Sequence, residues 1–128
     1  MSKYKNKMMS VNGLSFDSIK EGKRYIHLLE KERKGEISSL QTQVKYVLIP
    51  SQYESYERYG KKGQKLKDGR RMVERECAYI ADFVYIDNAS GETVVEDVKG
   101  YRRDGAYNIF TIKRKLMLYL KGIKVNEV

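Results

Sequence analysis

The sequence predicts a mixed α/β fold, a central mixed β-sheet flanked by helices, and three observations carry that prediction. Two segments, near residues 18–34 and 106–121, carry apolar residues at helical spacing. Three others, 40–49, 72–87 and 93–99, read as strands bounded by proline, glycine or a turn. Within the second of these, Ile80, Asp82, Val84 and Ile86 alternate with Ala81, Phe83 and Tyr85. Both faces are apolar, so this strand is central and covered on both sides.

In chain order, Met8 to Phe16 carries Asn12-Gly13 between short apolar runs and predicts a hairpin. A helix follows, with Ser18 and Glu21 at capping-box spacing and Asp17 as a second possible cap. It should run to about Lys34, with Gly35 closing it and Gly22 weakening it slightly. The next strand, Leu40 to Ile49, is ended by Pro50, the only proline. Residues 51–71 are polar, tyrosine-rich and punctuated by glycine, which suits a long loop or an irregular hairpin. The strands 72–87 and 93–99 flank the turn Asn88 to Gly91. In the last helix Ile109, Ile112, Leu116, Tyr119 and Leu120 recur at helical spacing. Gly122 stops it, and Ile123 to Val125 adds a short strand. The order expected is hairpin, helix, three strands, helix, strand.

With 128 residues the chain suits one domain. It has no apolar run long enough to cross a bilayer, and its basic start lacks the apolar core of a signal peptide, so the expectation is a cytoplasmic protein without a membrane partner. Cys77 and His27 are the only residues of their kinds, which excludes an internal disulfide and metal sites built from several Cys or His ligands. A metal here would take oxygen ligands, as Mg²⁺, Mn²⁺ or Ca²⁺ do. The formal net charge of +9 points to a polyanionic partner, nucleic acid first. Lys61, Lys62, Lys65, Lys67, Arg70, Arg71 and Arg75 stand within fifteen residues, just after Tyr53, Tyr56 and Tyr59. That interleaving suits phosphate contact with base or sugar stacking, or else a solvated loop.

The acids in the sheet are the informative residues. If Asn88 to Gly91 is a four-residue loop, Ile86 faces Thr93, Val84 faces Val95 and Asp82 faces Asp97. Two carboxylates directly opposite, with Cβ atoms roughly 5 Å apart, repel each other unless a divalent cation lies between them. A loop one residue different would place Asp82 opposite Glu96 or Val98 instead. On the first helix Glu21 shares a stripe with Tyr25, Leu28 and Leu29, so it faces the sheet with them or else only closes the capping box. Carboxylates holding Mg²⁺, a lysine such as Lys99 beside them and a basic surface together describe metal-dependent phosphodiester hydrolysis.

Asp82, followed by Asp97-Val98-Lys99, resembles the D…(D/E)-x-K signature of the PD-(D/E)XK nuclease superfamily, with Ala81 at the proline position. More widely, the stretches NGLSFDSIKEGKRYIHLLEKERKGEISSLQTQVKYVLIP, YIADFVYID and VVEDVKGYRRD and the closing basic helix with GIKV resemble small phage and prophage nucleases described as Holliday-junction-resolvase-like. The resemblance covers nearly the full length, with residues 51–75 fitting least well. It implies a PD-(D/E)XK core, a metal site of Asp82 and Asp97, Lys99 as the catalytic lysine, Glu21 as the helix acid and Gln43 as a glutamine near the site. It also implies a homodimer, since two strands of a junction must be cut symmetrically.

The expected function is therefore a Mg²⁺-dependent DNA endonuclease, with Mn²⁺ as a substitute, acting on branched DNA in phage recombination or replication within the host cytoplasm. Glu21, Asp82, Asp97 and the main-chain carbonyl of Val98 would hold metal. Lys61, Lys62, Lys65, Lys67, Arg70, Arg71, Arg102, Arg103, Lys113, Arg114 and Lys115 would grip phosphates. The alternatives are a flap or nick nuclease without junction preference and a non-catalytic DNA-binding module that keeps the fold.

Overall fold

Asn12 and Gly13 both adopt left-handed backbone, φ 51° and 79°, the turn whose twist suits a two-residue hairpin. They join β1 (Met9–Val11) to β2 (Leu14–Phe16) in the computed structural model, which describes residues 8–100 and 105–128. The helix α1 (Ile19–Arg33) starts where the Ser18 side chain accepts the Glu21 N–H at 3.1 Å. It ends in a paired cap, Gly35 N–H to Glu32 O and Glu36 N–H to Lys31 O, with Gly35 at φ 78°. Gly22, a weak helix former, is where the hairpin rests: a Cβ there would lie 2.5 Å from Met9 Sδ.

The strand β3 (Ile37–Ile49) follows. Residues 51–75 are the hairpin of the two expected forms: β4 (Gln52–Tyr59) and β5 (Lys65–Glu74) make an antiparallel sheet of their own. The strand expected over 72–87 is therefore two pieces. Met72 to Glu74 belong to β5, and β6 (Cys77–Asp87) starts after Arg75-Glu76. Ser51 Oγ accepts the Glu76 N–H at 3.0 Å and closes the ribbon's base. Next come β7 (Thr93–Asp97), shorter than 93–99, α2 (Gly105–Lys121), and β8 (Val125–Glu127), later than 123–125. Gly122 at φ 65° turns the chain out of α2.

The main sheet runs β3-β6-β7-β8, antiparallel except for the parallel β7–β8 pair, so it is mixed, and β6 is interior. Phe16, Tyr25, Leu28, Ile37, Phe83 and Tyr85 form the α1 core. Leu48, Tyr79, Ala81, Val84, Val95, Phe110, Met117 and Val125 form the α2 core. Ala81 and Phe83, two apart on one strand, would ordinarily share a face. Here they join different cores, and on β3 Leu40 and Val44 divide the same way. The crossover falls at Asp82 and its neighbour Gln43, where Gln43 has φ 52° and the β3–β6 ladder skips a pair. Both strands exchange inner faces there, and Asp82 sits at the exchange.

Of the apolar stripe read on α2, Leu116 packs against the core and the rest lies on the outer side. Ile112 is 59 % exposed and Tyr119 85 %, with Ile109 and Leu120 also exposed, while Phe110 and Met117 (0 %) face the sheet. The spacing identifies the helix but not its inner face. No described helix is long and apolar enough to cross a membrane.

Candidate metal and nucleic-acid site

The expected register holds over the paired residues: Ile86 faces Thr93 and Val84 faces Val95, and Asp82 and Asp97 each lie one residue beyond the last pair, Phe83 with Glu96. Glu96, one residue earlier on β7, faces Phe83 and serves the other core. The sequence does not reveal its role. Glu96 is 3 % exposed and takes both nitrogens of the Arg24 fork, Nε at 2.9 Å and Nη2 at 2.6 Å, while the Tyr85 hydroxyl donates to the same carboxylate. It is a paired structural acid, and burial with this partner pushes the Tyr85 hydroxyl pKa up.

Glu21, Asp82, Asp97, Val98 and Lys99 all line one cleft of about 510 Å³, with Ser18, Lys20 and Tyr107. Glu21 does not close the capping box with its carboxylate. It is 7 % exposed and accepts from Gln43 Nε2 at 3.0 Å. The same amide donates to Asp82 Oδ1 at 3.3 Å, so Gln43 bridges two acids. This is what its left-handed backbone accomplishes, and strain of this kind clusters at functional sites. Asp82 Oδ2 accepts the Val98 N–H at 2.8 Å. Asp97, 5 % exposed, accepts from the Tyr79 hydroxyl at 2.6 Å and from Lys99 Nζ at 2.9 Å. The Lys99 ammonium also lies 4.0 Å from the Phe110 ring centre. Sequence reasoning missed Tyr79, because nothing in the spacing marks a tyrosine three residues before Asp82 as Asp97's partner.

Charge is crowded in this cleft. Burial first, then the Asp82 charge and a hydrogen bond with Asp82, raise the Glu21 pKa from 4.5 to about 7. Burial also raises Asp82, with the Asp97 charge adding to it and the Val98 N–H opposing it. Glu21 is thus close to half protonated at neutral pH, beside the Asp82 carboxylate. Burial and the Asp97 carboxylate push the Tyr79 hydroxyl well above its usual range, so it stays a donor. Oxygen ligands in this number suit a hard divalent cation, which would displace the Glu21 proton. The Val98 carbonyl is adjacent, although it is the Val98 N–H that contacts an acid. Among the described residues no three Asp, Glu, His or Cys side chains already converge on one metal position.

The basic residues divide into groups. Lys113 lines a smaller cleft of about 270 Å³ beside Asp97 and Lys99. Arg114 turns to Glu127 at 3.6 Å, and Lys115 is exposed. Lys61, Lys62, Lys65, Lys67, Arg70 and Arg71 are all on the ribbon or its tip. Arg102 and Arg103 lie outside the described residues. Lys20 Nζ donates to the Lys99 carbonyl, bringing a further cation that the sequence reading did not single out.

The chain belongs to the family described as "Protein of unknown function (DUF1064)", whose family model matches residues 1–126. No curated protein and no solved structure matches it significantly.

Proposed function

We propose that this DUF1064 chain is a metal-dependent DNA endonuclease built on a PD-(D/E)XK-type core, cutting branched DNA such as a four-way junction in the cytoplasm of a phage host. One observation carries the reading: Glu21, Asp82 and Asp97, from a helix and two strands, meet in one cleft with Lys99 held on Asp97. A fold gains nothing from such repulsion, whereas a cation removes it.

Glu21, Asp82 and Asp97 would hold Mg²⁺ or Mn²⁺, with the Val98 carbonyl beside them. The metal supplies a polarised phosphate oxygen and an acidified water. Lys99, fixed by Asp97 and Phe110, places its ammonium in the cleft to orient the attacking water and to stabilise negative charge on the phosphoryl oxygens. Tyr79 holds the Asp97 carboxylate in position, and Gln43 bridges Glu21 and Asp82. Lys20 and Lys113 favour entry of a phosphodiester. The exposed α2 stripe supports a homodimer in which a second copy covers Ile109, Ile112 and Tyr119.

One observation favours a second reading, a DNA-binding module without catalysis: Asp97 already has two partners, and no three ligands converge among the described residues. A gel assay separates the two. Purified protein is given end-labelled four-way junction, nicked duplex and plain duplex, with Mg²⁺ or with EDTA, beside Asp97→Asn. Symmetric metal-dependent cuts in the junction, absent in the variant, are expected. Equal cutting of all three substrates would remove the junction preference. Binding without cleavage in Mg²⁺ and Mn²⁺ would establish the module.

A further inference from the structure

The ribbon β4–β5 is the part of the molecule that the cleft does not explain. It is a sheet of its own, and residues 52–59 and, apart from Gly69, 65–74 are exposed. A lone two-stranded hairpin is marginal in water. Something must stiffen it, and the stem shows what does. Arg70 lies 3.7 Å over the Tyr53 ring, and Arg71 lies 5.0 Å over the Tyr56 ring while pairing with Glu54. Tyr56 in turn lies flat on its cross-strand neighbour Gly69, where a Cβ would come within 2.3 Å of the ring.

Charge separates stem from tip. Residues 58–67 hold Arg58, Lys61, Lys62, Lys65 and Lys67 with no acid. Residues 52–57 and 68–74 hold Glu54, Glu57, Asp68 and Glu74 against Arg70 and Arg71. Only Lys65 at the tip has an ion pair among the described residues, to Glu57 at 3.8 Å. Eight residues of β4 span roughly 26 Å, and Asp82 lies a further five residues, about 17 Å, along β6 from the ribbon's base at Cys77. The tip therefore reaches at most about a dozen base pairs of duplex, at about 3.4 Å each, from the acid cluster.

We infer that the ribbon is a stiff arm whose tip, residues 58–67, grips the phosphates of duplex DNA at a distance from the cleft, while its stem serves only to hold the tip out. The inference rests on the nuclease reading and refines its partner. An arginine takes a face of each of the Tyr53 and Tyr56 rings, and Tyr56 also backs onto Gly69, which leaves Tyr59 as the ribbon tyrosine most open to a base. The five cations of the tip offer phosphate contact, which suits a double-stranded arm. Arg70 and Arg71, alike with the tip lysines in the sequence, are stem residues.

The test is fluorescence anisotropy of a labelled 24-base-pair duplex in EDTA across a salt series. Wild type is compared with a tip variant (Lys61→Ala, Lys62→Ala, Lys67→Ala) and a stem variant (Arg70→Ala, Arg71→Ala). Each lost phosphate contact removes about 0.9 from the log–log salt slope, so the tip variant should be shallower by roughly 2.7. At 0.15 M salt that corresponds to a loss of affinity on the order of 100-fold. The stem variant loosens the arm and so loses some affinity at every salt concentration, but it should keep the wild-type slope to within about one contact. A single Lys62→Glu variant guards against a folding artefact and should weaken binding in the same direction, with an unchanged thermal melt. Equal losses of salt slope in tip and stem variants, or no loss of slope in the tip variant, would overturn the arm. If wild type binds duplex and cuts the junction while the tip variant matches it, only the arm fails. If wild type binds no DNA, the nuclease reading fails with it.

Discussion

Replacing Glu21 by Gln should remove most of the pH dependence of metal binding between pH 6 and pH 8. The Glu21 pKa is raised to about 7 by burial and by Asp82, so the free site carries a proton that a cation must displace. With that pKa, Glu21 is ionised in about one molecule in eleven at pH 6 and in about ten of eleven at pH 8. Apparent Mn²⁺ affinity should therefore rise about tenfold over this window, a change of about 1.4 kcal/mol, and flatten above it. Calorimetry in buffers of different ionisation heat reads the same event directly, as about half a proton released per site at pH 7. In Glu21→Gln only Asp82, also raised, contributes, so the slope should shrink. Mn²⁺ binding that is flat from pH 6 to pH 8, or that releases no proton, would refute the reasoning.

The same shift has the opposite sign for stability without metal. A carboxyl whose folded pKa is raised binds extra protons in the folded state, so its stabilising effect is full below pH 4.5 and is lost as pH rises through about 7. Thermal melts in EDTA should fall from pH 5 to pH 8, and Mn²⁺ should restore the loss at pH 8. Arg24→Ala leaves Glu96 buried without its fork and should cost about 3 kcal/mol in urea unfolding, with Glu96→Gln recovering part of it. Tyr79→Phe removes the donor that fixes Asp97 and should lower metal affinity or cleavage about tenfold, while unfolding free energy changes by only about 1 kcal/mol. At Gln43, with φ 52°, glycine should be more stable than alanine by about 1 kcal/mol, the reverse of an ordinary strand position, and both should lose cleavage.

Much of the frame is legible in the sequence because each piece has a local cause. Asn12-Gly13, Ser18 with Glu21, and Gly35 specify the turn and caps that the structure shows. The four-residue loop after Asp87 fixes the register that carries Asp82 and Asp97 to the same end of the β6–β7 ladder, and the Tyr25–Leu28 stripe turns Glu21 inward. What escapes depends on residues far apart. Glu96 reads as a surface acid until Arg24, 72 residues earlier, is seen across it. The ribbon stem has no buried face, so no alternation marks its strands. Gln43's left-handed backbone and the exchange of inner faces at Asp82 leave no periodic trace. The α2 stripe misleads because α2 carries apolar residues on two faces, and only packing tells which one meets the sheet.

The proposed site stands or falls on a cation among Glu21, Asp82 and Asp97. Crystals soaked in Mn²⁺ and measured for anomalous scattering test this most directly. The account predicts a strong peak in the cleft against the carboxylates of Asp82 and Asp97, within reach of Glu21. No peak there, or peaks only at the surface, would contradict it.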